Sequence, residues 1–138
     1  MVFILDEGSE FKGPLDKVWK LAQSETEHKH SFQKNVTTTM EGENPIMSFD
    51  AQTPNGGWVK QTVKMTMFPP VGFASEYVDG DLAGSKLFEY FIPKGSKTGV
   101  VVVGEISSAS LPDEMARKFV LKNLETAFNE DQENLKRV

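Results

Sequence analysis

Residues 110–138 read as one long helix, and that helix limits what the rest of the chain can be. Ser110 is placed to cap it, Pro112 falls in its first turn, and Asp113 and Glu114 put negative charge at the positive end of the helix dipole. On a helical projection Phe119, Ala116, Ala127, Val120, Leu124, Phe128 and Leu121 share one broad arc, and Lys118, Lys122, Glu125, Asn129 and Gln132 lie opposite. No Gly or Pro interrupts the run after Pro112. About 25 helical residues span roughly 37 Å. A rod of that length with so wide an apolar arc must lie across an apolar surface of similar length.

A series of strands supplies that surface. Residues 2–12 alternate, with Phe3, Leu5 and Phe11 on one parity, until Gly13-Pro14 stops them. Pro14 opens a short helix carrying Leu15, Val18, Trp19 and Ala22 at helical spacing. Ser24-Glu25-Thr26-Glu27 has the form of a capping box, which predicts a second short helix to about Ser31. From Gln33 the period becomes that of strands. Val36, Thr38 and Met40 alternate, residues 42–45 form a turn, and Met47, Phe49 and Ala51 alternate again. Pro54-Asn55-Gly56-Gly57 is a hairpin signal. In the next strand Val59, Gln61, Val63, Met65 and Met67 face one way, and Lys60, Thr62, Lys64 and Thr66 face water. Pro69-Pro70 ends it. Further strands are expected over 71–79, 85–92 and 100–106, separated by turns at Asp79-Gly80-Asp81 and Gly95-Ser96. Strands joined by short turns are antiparallel, so the expectation is a seven-stranded antiparallel sheet, strongly curled, with the terminal helix covering its apolar face.

Composition fits one soluble α+β domain over residues 1–138, large enough to bury a real core. The net charge of −5, with no Lys/Arg cluster, argues against a nucleic-acid surface. There is no cysteine, which removes disulfides and thiolate chemistry. No apolar run approaches the ~20 residues of a membrane span, and residues 1–6 lack the features of a signal peptide. A cytoplasmic protein is the default expectation.

The order strand, two short helices, six strands, long helix resembles the helix-grip fold of the START/Bet v 1-like superfamily (SRPBCC), which includes polyketide cyclase-like proteins. The resemblance covers nearly the whole chain. It rests on Phe11-Lys12-Gly13-Pro14-Leu15-Asp16-Lys17-Val18-Trp19, similar to the family's strand, Pro-containing turn and "VW" opening, and on the final amphipathic helix. The Trp-Pro or Pro-Gly signature frequent in the family after the second helix is missing, so the resemblance assigns no subfamily. It implies a curved sheet gripping the long helix around a hydrophobic ligand cavity.

A cavity also has a physical basis of its own. A strongly bent sheet cannot touch a straight helix everywhere, so either large side chains or a ligand must fill the gap. Met47, Phe49, Met65, Met67, Phe88, Tyr90 and Phe119 are available for the inner surface, and methionines adapt to irregular volumes. Phe49, Val63, Met65, Met67, Tyr90, Phe119, Asn123 and Leu124 are the expected wall, with Asn123 or Tyr90 orienting a lipid, polyketide or aromatic metabolite. Asn123 sits at the flank of the helical arc, where a partly solvated edge is the plainer reading. Gln61 reads equally as a polar anchor in the cavity or as a solvated strand end.

Little else carries chemistry. Glu76, Glu89 and Glu105 sit in apolar strands and are most simply on the outer face, although a carboxylate in a dry cavity would be a general acid or base. His28-Lys29-His30 spaces two imidazoles poorly for a helical metal site and reads as a solvated turn. No nucleophile elbow, calcium loop, P-loop or dinucleotide fingerprint is present, so no catalytic residue, metal or cofactor is expected. Two rivals to a carrier stay open: a cyclase- or hydrolase-like enzyme using the same cavity, and a non-catalytic module that binds a protein partner or a second copy.

Overall fold

A computed structural model describes residues 1–24 and 28–138. Its strands are β1 (Val2–Phe11), β2 (Gln33–Glu41), β3 (Asn44–Gln52), β4 (Trp58–Phe68), β5 (Gly72–Tyr77), β6 (Lys86–Lys94) and β7 (Lys97–Ile106). Its helices are α1 (Leu15–Ala22) and α2 (Asp113–Asn134), the latter continued by a 3-10 turn, Leu135–Arg137. The strands form one antiparallel sheet in the order β1-β7-β6-β5-β4-β3-β2. Each strand from β2 to β6 pairs with the next in sequence. β1 returns to the far edge, placing Val2 opposite Ile106 and Phe11 opposite Thr98. Among the described residues no helix is long and apolar enough to cross a membrane.

Local chemistry accounts for most element ends. The carbonyl of Pro14 accepts from the amides of Lys17 and Val18, which starts α1 where the proline predicts it. The α1 face bearing Val18, Trp19 and Leu21 is buried. The expected second short helix begins at a capping box whose Glu25, Thr26 and Glu27 lie outside the described residues, and residues 28–31 are not helical. Asn44 and Pro45 belong to β3, so the turn expected over 42–45 is confined to Gly42 and Glu43.

The entry to α2 differs from its sequence reading. Pro112, in extended conformation, occupies the N-cap and makes no side-chain cap bond. Ser110 does not cap the helix. Ser108 accepts through Oγ from the amides of Ser110 and Leu111 and donates to Asp81 Oδ2, at 2.9 Å for the last contact. These serines tie the helix entry to the turn after β5 instead of closing its first turn.

Two apolar clusters hold α2 and the sheet together. One joins Ile4, Leu87, Val102 and Ile106 to Ala116 and Val120 near the start of the helix. The other joins Phe11, Trp19, Phe91 and Val100 to Leu135 just beyond its end, with α1 packed alongside. Within the sheet, α2 packs chiefly on β1 and β7. The helix is therefore anchored along one edge of a curled sheet, and the other strands curve past it.

β6 reverses the side-chain assignment expected of it. Leu87 and Phe91 are buried and Glu89 lies between them on the inner face. Phe88, Tyr90 and Ile92 are on the outer face, exposed, with the Phe88 and Tyr90 rings stacked at 6.3 Å. Strand alternation is obeyed; the sequence has large apolar residues on both parities, so the pattern alone does not choose between them.

Candidate functional site

The inner parity of each strand follows from register. Met47 pairs with Val63, Phe49 with Gln61, Val63 with Tyr77, and Met65 with Ser75, so these residues share one face. Glu89 lies opposite both Phe73 and Val102. Between this face and α2 is a cavity of about 210 Å³. Phe49, Val63 and Met65 line it from the sheet, and Phe119, Asn123 and Leu124 line it from the helix. These six are the expected wall residues that the fold brings together. Met67 does not line it and packs against the Phe11–Trp19 cluster. Tyr90 does not line it either: its side chain is on the outer face and 40% exposed.

The apolar wall carries a polar patch. Glu89 enters the cavity from β6, and burial pushes its carboxyl up to about 7; the charge of His28 opposes this, and those of Asp131 and Asp6 add to it. Tyr77, opposite Val63, also lines the cavity, and burial together with the charge of Glu89 pushes its phenol up to about 12. At neutral pH the cavity wall thus holds a carboxyl near its midpoint and, further along the sheet, a protonated phenol. Each of these groups can donate or accept a hydrogen bond at a ligand's polar end.

Gln61 is inside, only 3% exposed. Its Nε2 donates to the carbonyl of Asp79, whose carboxylate accepts from the amide and hydroxyl of Thr62, the hydroxyl at 2.9 Å. The Gln61 amide is thus engaged with the turn after β5. Gly80 permits this arrangement: it has φ +80°, and a Cβ there would lie 2.7 Å from Gln61 Oε1.

His28 and His30 are not in a solvated turn. The segment leading into β2 brings both imidazoles against the end of α2, with their centroids 4.9 Å apart. His28 Nε2 is 3.5 Å from Asp131 Oδ2, and His30 Nδ1 bonds Glu130 Oε1 at 3.0 Å. Burial would lower the pKa of His28, but the hydrogen bond and charge of Asp131, with the charge of Glu89, outweigh it and raise it. Burial and the neighbouring His28 lower that of His30 against the pull of Asp131 and Glu130. His28, His30 and Asp131 all border the cavity and form a donor set able to hold a metal ion.

Two signals for these polar residues are present in the sequence. Asp131 falls four positions after Ala127 on the arc that holds Ala116, Val120 and Leu124, so the helical period places it on the cavity side. Glu89 shares the parity of Leu87 and Phe91. The meeting of His28 and His30 with α2 has no comparable signal, because it depends on where residues 28–32 lie relative to the helix.

No family model and no curated protein matches the sequence. Solved structures do. TTHA0849 from Thermus thermophilus superposes with a TM-score of 0.80 at 18% identity, over 99% of this chain and 98% of that one. A START superfamily protein from Mycobacterium smegmatis gives 0.77 at 11% identity, over 98% and 97%. The Zhui aromatase/cyclase from Streptomyces sp. R1128 gives 0.74 at 12% identity, over 97% and 92%. The chain has the helix-grip fold of START/Bet v 1-like proteins.

Proposed function

We propose that the chain binds a compact, largely apolar small molecule between the sheet and α2. The observation that carries this reading is a cavity walled by Phe49, Val63, Met65, Phe119 and Leu124, with Glu89 and Tyr77 as polar groups inside it. Apolar burial supplies the affinity, at ~25 cal/mol per Å² removed from water, and the polar pair fixes orientation. A volume of about 210 Å³ lies below the ~300–1,000 Å³ of common ligand pockets, which favours a ring compound over a long acyl chain. Structural similarity to the Zhui aromatase/cyclase supports an aromatic or polyketide-derived ligand.

The test is native mass spectrometry of freshly purified protein, followed by thermal shift against lipids and compact aromatics. A co-purifying mass, or a Tm rise with ring compounds, is the expected result. A bare mass and no shift across the panel would overturn this reading.

A second reading has its own support. Glu89, with its carboxyl pushed up to about 7 in an apolar-walled cavity that Tyr77 also lines, meets the pKa requirement for a general acid or base near neutral pH. On this reading the bound compound is also turned over, by proton transfer. Glu89→Gln would then abolish turnover of a bound compound while leaving its affinity within a few-fold.

A further inference from the structure

We propose that His28, His30 and Asp131 form a binding site for a divalent first-row transition metal ion in the cavity wall. Hydrogen bonding decides which nitrogen of His30 is free. Glu130 accepts from His30 Nδ1 at 3.0 Å and is itself fixed by the amide of Ser31, at 3.1 and 3.3 Å. With the proton on Nδ1, the lone pair of His30 is on Nε2. That nitrogen faces Asp131 Oδ1 at 3.7 Å. This oxygen is buried and has no hydrogen-bond partner among the described residues. Two acceptors thus face each other in a buried place, an arrangement that a cation between them relieves.

A direct hydrogen bond does not resolve it. The 3.7 Å between His30 Nε2 and Asp131 Oδ1 is beyond hydrogen-bond length. His28 Nε2 reaches only the other oxygen of Asp131, at 3.5 Å.

The surroundings are those of a metal ligand set. A carboxylate on the far nitrogen of a histidine is the arrangement that fixes tautomer and ring orientation at metal sites, and the His30 ring is further held by stacking on Phe32 at 5.3 Å. The donor atoms all lie within 4.8 Å of one another. Tetrahedral zinc, with bonds of ~2.0–2.2 Å, needs donors ~3.3–3.6 Å apart, so seating it takes side-chain movements on the order of an ångström. Two imidazoles and a carboxylate suit zinc, iron(II), cobalt(II) or nickel(II) over magnesium or calcium. Three protein ligands leave a position open, and the site borders the cavity, so a water or a ligand heteroatom completes the coordination.

The test uses the full chain stripped with a chelator, and the metal alone. Isothermal titration with zinc chloride should show one ion per chain, and cobalt(II) should develop visible d–d absorption. His28→Ala and His30→Ala should each weaken zinc binding about tenfold or more, and Glu130→Gln should weaken it about tenfold through His30. Far-UV circular dichroism checks folding. Should a variant unfold, the wild-type titration and cobalt spectrum still decide. No stoichiometric zinc binding by the wild type, or unchanged binding in a folded His28→Ala/His30→Ala double variant, would overturn the proposal.

Discussion

Glu89 and Tyr90 are neighbours in β6 that face opposite ways: the carboxyl enters the cavity and the phenol stands 40% exposed on the outer face. The acid is therefore under the helix and the aromatic ring in solvent. Much of the site's chemistry depends on this one alternation.

Glu89 should make stability fall with rising pH. Its folded pKa, about 7, lies above the ordinary 4.5, so the folded chain holds a proton that the unfolded chain has lost between those values. Stability therefore declines across that window and stays lower above it, by about 3 kcal/mol at most. Glu89→Gln should remove this decline. Urea denaturation at pH 5 and pH 8 checks it: the variant should gain on the wild type at pH 8 and not at pH 5.

Gly80, in the turn after β5, should tolerate no side chain. Gly80→Ala would place a Cβ 2.7 Å from Gln61 Oε1 and 2.9 Å from the Lys60 carbonyl, at φ +80°. We expect a loss of roughly 1–3 kcal/mol, combining backbone strain with disruption of the buried Gln61–Asp79 contact. Thermal denaturation measures it, and Gly84→Ala is the control, since it shares a positive φ but meets no neighbour within 4 Å.

How much of this is legible in the sequence differs by element. The strands and the terminal helix are, because Met47-Phe49-Ala51 and Val59-Gln61-Val63 alternate cleanly and no Gly or Pro interrupts the run after Pro112. Six wall residues follow from those two periods. β6 is not, because Leu87 and Phe91 on one parity compete with Phe88, Tyr90 and Ile92 on the other. Hydrophobicity alone cannot orient such a strand; its pairing does, with Phe73 of β5 and Val102 of β7 opposite Glu89. The histidine cluster joins residues far apart in the chain, and no local period reports a contact of that kind.

Burial should separate two large-to-small substitutions sharply. Ile106 is fully buried, whereas Phe3 on the neighbouring strand is 69% exposed. Ile106→Ala should cost about 2–5 kcal/mol, and Phe3→Ala should stay within about 0.5 kcal/mol. Chemical denaturation of the two variants side by side checks this.

The central claim is that the space between Phe49, Val63 and Phe119 receives a compact apolar molecule. The most direct measurement is a two-dimensional amide NMR titration with a panel of small aromatic compounds, on the wild type and on Ala127→Phe, which puts a ring into the cavity lining. Saturable shifts centred on residues 49, 63 and 119 are expected in the wild type and should be lost in the variant. Shifts confined to Phe88 and Tyr90 on the outer face, or shifts of equal size in Ala127→Phe, would contradict the claim.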